Sequence, residues 1–222
     1  IYSFTFSYTN DSEEKVTFTH TFTNERVNAT IRLLKKDAET NQNVPQGDAT
    51  LEKAVYGLYA REDIIHPDGT TGVIYKAGDR VATLTTDKNG EAFVENLYLG
   101  KYFVKEITPP VGYLADESEH DLVCSYEGDL TATVERECVS LEQVKKQPFE
   151  IIKAANNGET DADLLSGAGF TAYLLSNLEV KEDGSYDVDS AEPVVIGENG
   201  ATEMFTDEKG YACSIALPYG TY

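Results

Sequence analysis

One phrase occurs twice in this chain, and it constrains the fold more than any other feature. Thr86-Asp87-Lys88-Asn89-Gly90-Glu91-Ala92-Phe93 runs on to Leu97-Tyr98-Leu99-Gly100-Lys101-Tyr102. Thr206-Asp207-Glu208-Lys209-Gly210-Tyr211-Ala212-Cys213 runs on to Leu217-Pro218-Tyr219-Gly220-Thr221-Tyr222 at the same spacing. Each copy instructs a hairpin: an Asp-x-x-Gly turn between extended segments, then a second turn closed by Gly before a Tyr-led strand. Self-similarity at a fixed period predicts a repeat array, an architecture that serves more often as spacer or scaffold than as one catalytic globule.

The 222 residues leave room for one or two domains, and the repeat favours two. Hydrophobic residues make up 41%, enough for ordinary cores. Tyr and Phe without Trp, together with many Thr and Val, suit strands better than helices. The net charge of −21, from 39 acidic and 18 basic residues, argues against nucleic acid and anionic membrane surfaces as partners. It fits a solvated acidic surface. The run Asp183-Gly184-Ser185-Tyr186-Asp187-Val188-Asp189 alternates carboxylates without a full calcium-loop pattern and is read as a polar loop. Neither a metal nor a cofactor is expected.

Cys124, Cys138 and Cys213 form no metal-type spacing. Cys213 stands where Phe93 stands in the other copy and is expected to be a small core hydrophobe. A simple hairpin turning at Glu127-Gly128 would not place Cys124 opposite Cys138. No membrane-spanning run and no leader peptide is visible. The chain is expected to begin and end in mid-strand, so those absences describe a fragment.

Residues 1–24 read as a β-hairpin. Tyr2, Phe4, Phe6 and Tyr8 alternate with Ser and Thr, and Val16, Phe18, His20 and Phe22 alternate with Thr after an Asn-Asp-Ser turn. A new unit starts at Ile31, with Ile31, Leu33 and Lys35 on one face. The Ala54–Tyr59 strand, a long excursion over 61–80 and the repeated hairpin follow. Tyr102 to Ile107 leaves that hairpin, Pro109–Tyr113 ends the strand, and a last hairpin spans roughly 120–139. Phe149, Ile151 and Lys153 then restart the cycle, Lys153 standing 118 residues after Lys35. The expected organisation is 1–27 as the closing hairpin of a preceding repeat, 28–147 as a complete domain, and 148–222 as a domain cut before its last strands.

Lys35 lies on the face that Ile31 and Leu33 make apolar, and Glu106 shares a face with Tyr102 and Val104. Two inward opposite charges on separate strands suggest a buried pair. Desolvation lowers a lysine's pKa and raises a glutamate's, so a neutral, nucleophilic amine beside a proton-shuttling acid becomes accessible. A nearby Asn or Asp side chain could then be attacked, giving an amide and ammonia or water.

The set Ile31-x-Leu33-x-Lys35-x-Asp37, the Ala54 strand, Thr86-Asp87-x-x-Gly90, Leu99-Gly100-x-Tyr102-x-Val104-x-Glu106 and Pro110-x-Gly112-Tyr113 resembles the Cna B-type, SpaA-like (prealbumin-like) repeats of Gram-positive surface proteins and pilins. The resemblance covers 29–222. It implies an all-β fold of tandem Ig-like or prealbumin-like β-sandwiches, in which a first-strand lysine bonds to an Asn or Asp of the last strand with help from the strand glutamate. Lys35 and Glu106 would be that lysine and glutamate, with Glu106 the proton shuttle. Asn24 would be the acceptor of the preceding domain, and Lys153 the nucleophile of the third, although Ala155 replaces the Asp37 equivalent. Residues 130–148 contain neither Asn nor Asp, and Glu142 falls where Asn24 falls one period earlier. Either Lys35 and Glu106 stay an unreacted pair with Glu142, or the acceptor lies elsewhere.

The expected function is a non-enzymatic stalk or shaft module of an extracellular, cell-wall-attached protein of a Gram-positive bacterium. Its partners would be neighbouring repeats of the same chain, without nucleic acid or membrane insertion. The alternative is an adhesin module that binds a host extracellular protein or glycan through loops 61–80 and 181–192.

Overall fold

The computed structural model describes residues 19–21, 25–155 and 163–222. Nearly all of the first expected hairpin, Asn24 included, lies outside them. Residues 28–142 carry nine strands: β1 (Asn28–Asp37), β2 (Val55–Ala60), β3 (Ile64–Ile65), β4 (Val73–Tyr75), β5 (Arg80–Thr85), β6 (Glu91–Leu97), β7 (Gly100–Thr108), β8 (Glu119–Cys124) and β9 (Thr133–Glu142). They form two main sheets, ordered β6-β1-β9 and β5-β2-β7-β8, and a small β3-β4 ribbon within the 61–80 excursion. Between the sheets lies one apolar core that includes Ile31, Leu33, Tyr56, Leu58, Tyr102, Val104 and Val134. This is a β-sandwich, as the alternating sequence predicts.

β1 shows why the alternation works. Its even-numbered positions are half exposed and its odd-numbered ones, Ala29 to Asp37, are buried. The strand pairs antiparallel with β6 on one edge and parallel with β9 on the other, from Asn28↔Thr133 to Asp37↔Glu142. First and last strands of the unit therefore lie side by side.

The turn chemistry is as expected, but the pairing is not. Asp87 accepts hydrogen bonds from the Asn89 and Glu91 amides at 2.8 and 3.0 Å, and Gly90 adopts φ +75°. The strands on either side of this turn nevertheless join opposite sheets, β5 against β2 and β6 against β1. The expected hairpin over 120–139 is likewise corrected. β8 pairs with β7, while β9 crosses to the other sheet and pairs with β1. Cys124 and Cys138 are buried free thiols on those two strands.

The remaining strands are β10 (Lys146–Gln147), β11 (Glu150–Ile152), β12 (Gly169–Thr171), β13 (Glu179–Val180), β14 (Tyr186–Asp187), β15 (Glu203–Phe205), β16 (Tyr211–Cys213) and β17 (Leu217–Pro218). They pair as β10-β17, β11-β16, β12-β15 and β13-β14 around a smaller core of Ile196, Met204, Ala212 and Leu217. Here Cys213 is exposed, as is Phe93 in the other copy, so the expectation of a core role fails. The inward residue of each copy is the preceding alanine, Ala92 or Ala212.

Beneath the repeated phrase lies a repeated set of bonds. Thr86 Oγ1 donates to the Leu51 carbonyl at 2.6 Å and accepts from the Ala54 amide at 3.0 Å. Thr206 Oγ1 does the same with Leu165 at 2.7 Å and Ala168 at 3.0 Å. The Lys35 amide donates to the Gly90 carbonyl at 2.8 Å, and the Lys153 amide to that of Gly210 at 2.7 Å. No α-helix occurs among the described residues, where three short 3-10 turns complete the structure, and none is long and apolar enough to cross a membrane.

Candidate functional site

Lys35 is fully buried, and the sandwich brings three polar side chains to its ammonium. Its Nζ donates to Glu106 Oε1 at 3.1 Å and to the Tyr56 hydroxyl at 3.0 Å, and it forms an ion pair with Glu142 Oε1. The Tyr56 hydroxyl donates in turn to Glu142 Oε1 and lies 3.1 Å from Ser140 Oγ. Ser140 Oγ also donates to Glu142 Oε1 at 3.2 Å. Lys35 and Glu142 thus bridge the parallel β1–β9 pair, while Tyr56 and Glu106 reach across from β2 and β7 in the opposite sheet.

Of the site residues expected from sequence, Lys35, Glu106 and Glu142 are brought together. Lys153 is not part of such a cluster. It is exposed, its neighbour two residues on is Ala155, and Phe170 stands where Tyr56 supplies a hydroxyl. Asn24 lies outside the described residues. Sequence reasoning missed Tyr56 and Ser140. The available signal was that Tyr56 and Phe170 differ by one hydroxyl at equivalent inward positions of the two copies.

Electrostatics at this site is governed by desolvation. Burial pulls the Lys35 amine down to about 8, against the opposing pull of Glu106 and of Asp116. Burial also pushes the Tyr56 hydroxyl far above its usual range, so Tyr56 stays protonated and acts as a fixed donor. Glu106 Oε2 accepts the Asp116 amide at 2.9 Å, and Asp116 Oδ2 lies 3.0 Å from His120 Nε2. One face of the cluster therefore runs toward the surface. On the opposite side Glu142 Oε2 is buried without a hydrogen-bond partner. One ammonium faces two carboxylates, so the cluster carries one excess negative charge unless one carboxyl keeps a proton, and joining the amine to one carboxyl would leave the other to be neutralised by a proton in the same way.

One turn further along β1, Asp37 is also fully buried. Burial raises its carboxyl, but the Thr40 amide, the Tyr113 hydroxyl at 2.9 Å and the Gln46 amide outweigh that and hold it below the ordinary range. This explains the Pro110-x-Gly112-Tyr113 motif. Gly112, at φ +87°, packs so closely on Ala49 that a Cβ would approach its Cβ to 2.5 Å, and Tyr113 closes over Asp37. Among the described residues no group of three or more His, Cys, Asp or Glu side chains could hold a metal ion.

The site is thus a buried lysine on the first strand of a β-sandwich, set against a glutamate of the last strand and a second glutamate from the facing sheet. Residues 29–137 match the family of SpaA domains with a prealbumin-like fold, and this unit belongs to that family. Among solved structures, the Bacillus anthracis TIE protein superposes with a TM-score of 0.52 at 22% identity, over 87% of this chain and 27% of its own. A streptococcal ancillary pilin is similar at 23% identity and a TM-score of 0.36, over 89% of this chain and 52% of that one. The C-terminal domain of the shaft pilin spaA from Lactobacillus rhamnosus GG is similar at 17% identity and a TM-score of 0.35, over 54% of this chain and all of that one. The chain thus spans about a quarter and about half the length of the first two. A comparison with curated proteins finds no match.

Proposed function

We propose that this chain is a stretch of the stalk or shaft of a Gram-positive cell-surface protein, of the pilin type, whose middle domain is tied from first to last strand by Lys35. In this reading residues 28–147 form one complete repeat, 1–27 carry the closing strands of a repeat, and 148–222 the opening strands of another. The observation that carries it is the seating of Lys35 against Glu142 across the parallel β1–β9 pair, inside a closed apolar core. Tension entering at β1 and leaving at β9 then passes through that contact instead of through the whole sandwich.

Glu142 occupies the position at which relatives of this fold are expected to carry Asn or Asp, so the tie proposed here is a Lys35–Glu142 amide. The lone pair of Lys35 Nζ attacks Glu142 Cδ, and the carboxyl hydroxyl leaves as water with a proton passed through Glu106. One C–N bond forms, one C–O bond breaks, and no redox partner is required. By analogy with disulfides, closing a loop on the order of 100 residues contributes about 4–5 kcal/mol through the unfolded chain. The reaction runs once and on the protein itself, so the molecule is not an enzyme.

Intact-mass spectrometry tests the tie. The expected result is a chain lighter by one water, with the deficit lost in Lys35→Ala and in Glu142→Ala and much reduced in Glu106→Ala. A wild-type mass equal to that of the unmodified chain would leave an ionic cluster and remove the covalent claim. The adhesin alternative has less behind it. Of the two aromatics in its loops, Tyr75 packs against the core and Tyr186 stands alone as an exposed ring.

A further inference from the structure

The two carboxyl oxygens of Glu142 meet unlike surroundings. Oε1 accepts from the Tyr56 hydroxyl at 2.5 Å and from Ser140 Oγ at 3.2 Å, and it faces the Lys35 ammonium. Oε2 is buried without a hydrogen-bond partner. The three side chains around Oε1 come from three strands, Lys35 from β1, Tyr56 from β2 and Ser140 from β9, and all are fully buried. Water does not compete for these bonds, so each donor acts at the low dielectric of a protein core.

Packing does not explain the Tyr56 hydroxyl. Phe170 fills the equivalent position of the next repeat and packs on that repeat's core, so the fold accepts the same ring without its oxygen. A buried hydroxyl is costly unless it is bonded, and this one is bonded on both sides. It accepts from Lys35 Nζ at 3.0 Å and donates to Glu142 Oε1. The hydroxyl thus touches the amine that would attack and the oxygen on which charge would collect. Burial keeps its proton in place, so it donates without ionising.

We propose that Tyr56 and Ser140 are catalytic donors, which stabilise the oxyanion formed on Glu142 Oε1 as Lys35 adds to the Glu142 carboxyl carbon. This deepens the amide reading given above and rests on it. The lone pair of the neutral Lys35 amine forms the C–N bond at Cδ, and the carbonyl electron pair moves onto Oε1, where both hydroxyls already point. When that pair returns, the bond from Cδ to Oε2 breaks. Oε2 leaves as water, with its own proton and one taken from the nitrogen through Glu106. The asymmetry of the carboxyl assigns these roles. Two donors favour negative charge on Oε1, whereas Oε2, with none, carries the proton at lower cost and has no bond to give up on leaving. Donors aimed in advance at developing charge need no rearrangement during the reaction.

The test is the rate of water loss from newly made chain. The full 222-residue chain is synthesised in a cell-free system, sampled over time into acid denaturant and weighed intact. Wild type should become lighter by one water, and Tyr56→Phe should do so more slowly by about 100-fold, the scale of removing one such donor. Ser140→Ala should slow the step by a smaller factor, because its bond to Oε1 is the longer of the two. Circular dichroism should show Tyr56→Phe folded, as Phe170 leads one to expect. A wild-type chain that loses water while Tyr56→Phe keeps pace would overturn the role of the hydroxyls and leave the amide standing. A wild-type chain that never loses water would overturn both. If Tyr56→Phe proves unfolded, Ser140→Ala decides alone, and an unchanged rate there overturns the proposal.

Discussion

At the scale of residues, Lys35 is the side chain on which the molecule turns. A lysine placed at 0% exposure has given up its hydration, and only Glu106, Glu142 and the Tyr56 hydroxyl replace it. Lys35→Ala should cost about 3–5 kcal/mol, the range for removing one member of a buried ionic set, because it leaves two carboxylates facing each other in the core. Chemical denaturation measures this directly. The pH response separates a free amine from a bonded one. In Glu142→Ala the amine must remain free, and burial, which pulls the native Lys35 amine to about 8 from an ordinary 10.5, keeps it depressed there too. Between those values the unfolded chain holds a proton that the folded chain has released, so stability rises with pH across that window and is lowest below it. The expected outcome is that Glu142→Ala gains stability between pH 8 and 10.5 relative to the double variant Lys35→Met, Glu142→Ala. An unchanged difference between the two would show that burial does not depress the amine.

At the scale of elements, the Asp-x-x-Gly turn aligns the site. Gly90 takes φ +75°, and a Cβ there would come within 2.7 Å of the Lys35 carbonyl, whose own amide is bonded to the Gly90 carbonyl. Gly90→Ala should therefore cost at least about 1–3 kcal/mol, from left-handed strain together with displacement of β1, and should slow or reduce any bond made by Lys35. Equilibrium unfolding and intact mass on the same variant check both parts. The same turn shows where sequence reasoning stops. Asp87 and Gly90 were legible because their chemistry is local, and Lys35 and Glu106 because strand parity is local too. Glu142 was placed by its distance from Asn24 along the repeat. The sheet that each strand joins was not legible, because a turn fixes a reversal of direction and not the partner across the sandwich. β8 and β9 were read as a hairpin for that reason. Tyr56 and Ser140 escaped because their role depends on which residue faces them from another strand. Cys213 was misread because position 93 is itself an outward one, which a comparison of two copies cannot reveal.

At the scale of the whole molecule, the proposed role as a shaft would require resistance to bending where the two sets of strands meet as well as to stretching within each. The two sets of strands meet over a compact set of bonds centred on Asp48. Its amide donates to the Tyr219 carbonyl at 2.8 Å, while its carboxylate accepts from the Ser176 hydroxyl at 2.5 Å and the Thr221 amide at 2.9 Å. Gly47 lies so close that a Cβ would sit 2.4 Å from the Tyr219 carbonyl. Glu39 adds bonds to Gln143, just past β9, and to Lys146 at the start of β10. Exposed ion pairs of this kind contribute little by themselves, about 0–1 kcal/mol, whereas a carboxylate satisfied by two donors from another unit also fixes an orientation. Asp48→Ala should thus leave the melting of each unit nearly unchanged and loosen their relative orientation. Small-angle X-ray scattering should show a broader distribution of interatomic distances and a larger maximum dimension for the variant than for the wild-type chain. Identical scattering profiles would mean that backbone packing at Gly47 and Gly112 holds the joint alone, and Gly47→Ala would then be the variant that bends it.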